Sequence, residues 1–229
     1  MRTAELTTPA LLVETAALET NLDLMTQALP GARLRPHVKA HKCTALAARQ
    51  AARGHKGFTC ATVAEMEGMA RAGLGEDLLL ANEVADATRL GALARSGARV
   101  TLAVDSAETV AAAAAAGVPE VLIDVNVGLP RCGCRPDDAG GLAERARAAG
   151  LVVRGVMGYE GHIVGLEDRT TRTEMLEDSM ARLVHAHDVV GGELISAGGT
   201  GTYDLNTWAT EITVASTVSA WVNGRPSLA

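Results

Sequence analysis

The densest run of reactive side chains is Arg35-Pro36-His37-Val38-Lys39-Ala40-His41-Lys42. Two lysines, two histidines and an arginine within eight residues make a cationic cluster. A lysine that is crowded by other cations and partly withdrawn from water loses basicity, and its neutral amine becomes a nucleophile. A solvated basic loop is the competing reading of the same residues. A second group, Ser196-Ala197-Gly198-Gly199-Thr200-Gly201-Thr202-Tyr203, combines glycines with hydroxyls. Glycines let backbone N–H groups approach an anion closely, and a following helix N-terminus would add a favourable dipole. A flexible turn is the alternative. Two further segments bring polar groups to the end of apolar runs. Asp124-Val125-Asn126-Val127-Gly128-Leu129-Pro130-Arg131 supplies an arginine able to hold a phenolate or carboxylate. Gly158-Tyr159-Glu160-Gly161-His162 supplies a ring able to stack or donate a hydrogen bond.

These segments need a scaffold that gathers them. Short β-rich runs at 9–14, 34–40, 57–63, 77–84, 99–105, 120–127, 151–159 and 193–197 are expected as eight strands. Between them lie helical patterns at 16–29, 44–52, 64–72, 87–95, 107–115, 139–149 and 171–190, and a short helix is expected near Tyr203. Glycines at 54, 73, 97, 117 and 150 follow helical runs, where the left-handed conformation closes a helix. Strands such as Val121-Leu122-Ile123 are apolar without alternation, as expected when both faces are buried. Eight βα units in strict alternation predict an α/β protein of the (β/α)8 TIM-type barrel class, with chemistry at the carboxyl ends of the strands. An open doubly wound sheet is the rival architecture.

Composition narrows the function classes. The chain has 229 residues, 48% hydrophobic and 21% charged, suiting a folded domain. A net charge of −6 and only two Trp, two Tyr and one Phe leave little for a nucleic-acid surface. No apolar run reaches the roughly 18 residues of a membrane span, and no secretory signal opens the chain, so a cytoplasmic location is expected. Cys43, Cys60, Cys132 and Cys134 do not form a secreted disulfide framework. The Cys132/Cys134 pair lacks a second pair to complete a zinc site, and ordinary thiols are expected. His185 and His187 stand two apart on a helix and share no face, while His55 reads as a surface residue after a helix end.

Five strings together resemble one family: Thr8-Pro9-Ala10-Leu11-Leu12-Val13, the 35–42 run, Gly128-Leu129-Pro130-Arg131-Cys132-Gly133, Gly155-Val156-Met157-Gly158-Tyr159-Glu160-Gly161-His162, and Gly198-Gly199-Thr200-Gly201-Thr202-Tyr203. They are similar to the D-threonine aldolase and D-serine dehydratase family, which has an alanine-racemase N-terminal-like barrel of pyridoxal-phosphate fold type III. The resemblance implies a pyridoxal 5′-phosphate cofactor and a lyase acting on D-3-hydroxy amino acids, by aldol cleavage or dehydration. It matches Lys39 to the Schiff-base lysine, with Lys42 its near neighbour. Gly199, Thr200, Gly201 and Thr202 match the phosphate loop, Tyr159 the residue against the ring, and Arg131 an arginine on the ring's oxygen side. His37 and His162 are expected at the mouth near the substrate.

In the family, a C-terminal β domain carries the ligands of a divalent metal, Mn2+ or Zn2+. The expected organisation here is a cofactor-binding barrel over residues 1–211 and a divergent tail over 212–229, without that domain and with no metal ligands assigned. Two other readings stay open: a non-catalytic barrel that carries the cofactor, and an amino-acid racemase, which would need a second acid–base group. The resemblance admits a homodimer, with a small D-amino acid as the partner molecule.

Overall fold

The computed structural model describes residues 5–10, 12–215, 221–222 and 225–226. Eight parallel strands carry the core: β1 (Leu34–Pro36), β2 (Gly57–Cys60), β3 (Asp77–Leu80), β4 (Val100–Val104), β5 (Glu120–Asp124), β6 (Val152–Met157), β7 (Leu194–Ala197) and β8 (Glu211–Val214). Each pairs with its sequence neighbour, and β8 returns to β1, with Leu34 opposite Ile212. A parallel bridge between His37 and Thr59 joins β1 to β2 and completes the ring. The helices outside are α1 (Thr15–Ala28), α2 (Thr44–Ala51), α3 (Val63–Arg71), α4 (Thr88–Arg95), α5 (Ala107–Ala116), α6 (Ala139–Ala148) and α7 (Arg169–Val190). A short antiparallel pair, β9 (Trp221–Val222) and β10 (Arg225–Pro226), follows.

The eight-stranded barrel expected from the sequence is present, but its strands are counted differently. Residues 9–14 do not form a strand: those described there are exposed and irregular. The eighth strand is instead Glu211–Val214, so the Gly-rich loop follows β7. This strand also crosses the expected boundary at residue 211. Short, mixed-polarity Glu-Ile-Thr-Val acquires its extended form only by pairing with β1 and β7 on its two sides. The helix expected near Tyr203 is absent, and residues 200–205 are turns. Asn206 Oδ1 accepts from the amides of Trp208 and Ala209, a local alternative that competes with helix continuation.

Local chemistry explains the elements that did match. In α5, the Ser106 side chain accepts from the Thr109 amide and Thr109 answers to the Ser106 backbone, a reciprocal capping box. The same helix stops at Gly117, whose φ of 73° is the left-handed geometry glycine adopts without steric cost. Apolar side chains on the outer strand faces pack under the helices as one large cluster that includes Leu78, Leu102, Ile123, Val156 and Leu183. A separate small cluster of Leu79, Ala103, Leu122 and Met157 fills the barrel interior.

At the opposite end from the site, the interior is ionic. Arg35 and Arg154 are only 3% and 5% exposed, so their charges require partners. Asp77 supplies one for each: Arg35 Nη2 donates to Oδ2 at 2.7 Å, and Arg154 Nη1 donates to Oδ1 at 2.8 Å. Arg35 Nε also reaches Glu211 Oε1 at 2.8 Å, and Arg154 reaches Thr101 Oγ1 at 2.8 Å and Glu193 Oε1 at 3.1 Å. His55, expected at the surface, is 1% exposed and sits between Thr26 Oγ1 and the Gly31 carbonyl, each at 3.0 Å. That contact ties α1 to the loop entering β2, a pairing that no local pattern reveals.

Removing a buried ionic partner strands the others. Asp77→Ala is expected to lower the unfolding free energy by about 3–5 kcal/mol in a urea titration at neutral pH. Burial alone would raise the Asp77 pKa; the Arg154 hydrogen bond and the Arg35 charge outweigh it and hold the carboxyl at about 2. Its contribution to stability is therefore complete above the ordinary carboxylate value of about 4 and is lost as pH falls towards about 2. An acid titration in which D77N and the wild-type protein lose stability in parallel over that range would contradict this assignment.

Candidate functional site at the barrel mouth

Parallel strands deliver all their carboxyl ends to one rim, and a cavity of about 790 Å³ opens there. It is lined by His37, Lys39, Arg131, Tyr159, the run Gly198-Gly199-Thr200-Gly201, and by Asn82, Ser196, Arg169, Arg172 and Tyr203, among others. The volume lies within the roughly 300–1,000 Å³ of small-molecule sites.

The cationic run of the sequence is dispersed by the fold. Arg35 points into the ionic end of the barrel. His37 donates its amide to Val214 O at 2.9 Å and, through Nδ1, accepts the Lys39 amide at 3.3 Å. Burial, followed by the Lys39 charge, lowers the His37 pKa to about 3, so the imidazole is neutral. His41 accepts the Cys43 amide at 3.0 Å. Lys42, with φ of 47°, turns to an ion pair with Glu65 on α3 and does not line the cavity. Lys39 alone of the two lysines enters the mouth, on a short turn just beyond β1. Its surface is open to the cavity, yet the walls withdraw bulk water from it. That burial, and then the Arg131 charge, lower its pKa, against the pull of Glu65.

Two cations lie close to the Tyr159 ring. Lys39 Nζ lies 5.6 Å and the Arg131 guanidinium carbon 5.5 Å from its ring centroid. Gly161 follows without a side chain; a Cβ there would fall 2.4 Å from the Tyr159 ring. Arg131 Nε contacts Cys132 Sγ at 3.3 Å, and that thiol donates to Asp124 Oδ2 at 3.4 Å. Burial and then hydrogen bonding with Glu83 push the Asp124 pKa well up. Ligand atoms of Glu83, Asp124 and Cys132 lie within 4.8 Å of one another, the arrangement closest to a metal set among the described residues. All four cysteines are free thiols, and burial pushes Cys132 and Cys134 up to about 12.

The Gly-rich loop packs tightly between β7 and the 158–166 segment. Gly198 has φ of 98°, and a Cβ on it would meet Ile212 Cγ2 at 2.7 Å. At Gly201 a Cβ would meet the Val164 carbonyl oxygen at 2.2 Å, so the close approach that demands glycine there is to the protein's own backbone. Gly199, Thr200 and Gly201 face the cavity; Thr202 is fully buried behind them and donates to Glu160 Oε1 at 2.6 Å. His162 is not part of the lining: its ring packs under Gly128, and its Nδ1 is buried without a partner among the described residues. Sequence reading missed Arg169 and Arg172 on the cavity wall. Their signal was present, because arginines in the first turn of a long helix oppose the helix dipole and need another reason to be there.

The sequence matches the family described as "Alanine racemase, N-terminal domain" over residues 13–212. This chain belongs to that family. Within it, the chain is 33% identical over 222 residues to a D-threonine aldolase from Arthrobacter sp., covering 89% of this chain and 58% of that protein. It is 32% identical to a 3-hydroxy-D-aspartate aldolase from Paracoccus denitrificans, covering 89% and 57%. Among solved structures, D-threonine aldolase from Filomicrobium marinum superposes with a TM-score of 0.85 at 33% identity, over 94% of this chain and 63% of that one. D-threo-3-hydroxyaspartate dehydratase from Delftia sp. HT23 gives the same TM-score at 28% identity. This member of the alanine racemase N-terminal domain family therefore spans a little over half the length of the curated relatives it matches.

The lowered Lys39 pKa makes a reactivity difference between lysines. Mild acylation at neutral pH, read by peptide mapping, is expected to modify Lys39 before Lys56, which is exposed and paired only with Glu76. Arg131→Gln removes a cation that lowers the Lys39 pKa, so Lys39 becomes more basic and reacts more slowly at that pH. Equal labelling of the two lysines, or an unaltered Lys39 rate in R131Q, would contradict the geometry.

Proposed function

We propose that this barrel binds pyridoxal 5′-phosphate at its mouth through Lys39 and serves as the cofactor-binding part of a lyase acting on D-3-hydroxy amino acids. One observation carries the reading: Lys39 and Arg131 lie 5.6 Å and 5.5 Å from the Tyr159 ring centroid, in the same cavity that the Gly-rich loop lines. Family membership implies this cofactor, and the residues fit it: an amine, a flat ring, a guanidinium and a glycine loop share one cavity.

When bound, the cofactor supplies an electron-accepting ring that stabilises charge released at the amino acid's α-carbon. The chain's own residues do the rest. Lys39 Nζ, made less basic by burial and Arg131, is available as a neutral amine to anchor the cofactor and to take or return a proton in the mouth. Tyr159 gives the flat ring a face to pack on. Arg131 would hold an oxygen of the cofactor ring, and its fixed charge lowers the basicity of Lys39. Gly199, Thr200 and Gly201 line the part of the cavity that would receive the phosphate. Thr202 supports them from behind. His37, neutral and hydrogen-bonded to the Lys39 amide, sets the direction in which Lys39 enters the cavity. Substrates of the D-3-hydroxy class are suggested by the relatives, whose names specify D-threonine, 3-hydroxy-D-aspartate and D-threo-3-hydroxyaspartate.

Cleavage or loss at a β-hydroxyl develops charge on oxygen, which a divalent ion stabilises as a Lewis acid. The histidines near the mouth do not converge on such an ion: His37 lies in the β1 seam, His41 caps Cys43, and His162 packs under Gly128. Residues 1–229 are therefore proposed to retain cofactor binding with weak metal-stimulated turnover.

Loading with pyridoxal phosphate, borohydride reduction and peptide mapping test the binding. The adduct is expected on Lys39 and absent in K39A; an adduct on Lys42 would overturn the site. Turnover of D-threonine, D-serine and 3-hydroxy-D-aspartate, with Mn2+, Zn2+ or EDTA, tests the activity. Robust metal-dependent turnover by the loaded 229-residue chain would overturn the expectation of weak activity.

A further inference from the structure

Glu160 is fully buried directly behind the Gly-rich loop, an unusual place for an acid beside a site read as binding an anion. Its two oxygens face the loop. Oε1 accepts from the Thr202 hydroxyl at 2.6 Å, and Oε2 accepts from the Gly198 amide at 3.2 Å. Thr202 Oγ1 in turn accepts from the Gly199 amide at 3.1 Å. A hydroxyl has one proton to donate, and here it goes to the carboxyl, so Thr202 offers none to the cavity. The amides of Gly198 and Gly199 are likewise held on the wall side. The Gly201 amide has no partner among the described residues, and Gly201 lines the cavity with its back against the Val164 carbonyl.

We infer that Glu160 is the positioning residue of the phosphate loop: it sorts the loop's donors, holding Gly198 and, through Thr202, Gly199 against the wall so that Gly201 is left for a phosphate monoester. This rests on the reading of the cavity as a pyridoxal-phosphate site and adds the residue that gives the loop its preference for phosphate. Burial raises the Glu160 pKa, and the donors from Thr202 and Gly198 oppose that rise, each met by a carboxyl oxygen acting as acceptor. Glutamine keeps the shape but exchanges one acceptor for a donor, so it can serve only one of the two contacts, while leucine removes both acceptors.

The experiment compares dissociation constants of pyridoxal phosphate, pyridoxal and inorganic phosphate for the wild-type chain, E160Q, E160L and T202V, with thermal unfolding of each. E160L and T202V are expected to weaken pyridoxal phosphate and inorganic phosphate by about tenfold to a hundredfold, the range for leaving a buried hydrogen-bonding group unsatisfied. Pyridoxal, which lacks the phosphate, should shift by less than about threefold, and E160Q should fall between wild type and E160L for the two phosphate ligands. T202V carries the test if E160L does not fold. Equal loss of pyridoxal and pyridoxal phosphate, unchanged affinities in both E160L and T202V, or an E160Q loss exceeding that of E160L overturns the inference while leaving the cofactor site intact. Wild-type protein that binds neither pyridoxal phosphate nor inorganic phosphate overturns the site reading, and the inference with it.

Discussion

Asp77 between Arg35 and Arg154 is the contact on which the geometry of the barrel turns. Three strands, β1, β3 and β6, send charged side chains into the ring's interior, and one carboxylate bridges both guanidiniums. Glu211 and Glu193 bring β8 and the approach to β7 into the same network. Buried ion pairs of this kind add little net stability over apolar packing, because desolvation offsets much of the attraction. Their directional hydrogen bonds instead oppose slippage between strands that are short and apolar. A one-residue shift would turn inward-facing residues outward.

That ionic layer, the apolar layer of Leu79, Ala103, Leu122 and Met157 above it, and the open cavity at the rim divide the barrel interior by function. Because the sheet is parallel, its amino ends are committed to holding the ring and its carboxyl ends are free for chemistry. His37 links the two roles. Its backbone closes the seam between β1 and β2, and its side chain orients the backbone of the turn that presents Lys39.

The mouth is electropositive in a chain of net charge −6. Lys39, Arg131, Arg169 and Arg172 all line it, and Asp204, also in the lining, is ion-paired with Arg169; other acids lie behind the walls. Glu160 lies behind the loop, and Asp124 and Glu83 lie behind Arg131 and Cys132. Burial raises the pKa of both Glu160 and Asp124. The lowered Lys39 pKa follows from the same arrangement: burial first, then a guanidinium that cannot lose its charge.

The sequence alone determined whatever depends on neighbours along the chain. Helix ends at residues such as Ser106 and Gly117 are set by bonds spanning three or four residues and were legible. So was the alternation of elements that makes a barrel, and the strings around Lys39, Arg131, Tyr159 and Gly199–Gly201. Tertiary structure decided what depends on pairing across the ring. The 9–14 run has strand-like residues but is not a strand, whereas Glu211–Val214 becomes one between β1 and β7. Only the fold separates Lys39 from Lys42, three residues apart, by sending one into the cavity and the other to Glu65. Only the fold moves Thr202 out of the lining and places Glu160 beneath it, 42 residues away in sequence. Hydrogen bonds over that distance carry no periodic trace in the chain, because the barrel's closure, rather than local propensity, brings their ends together.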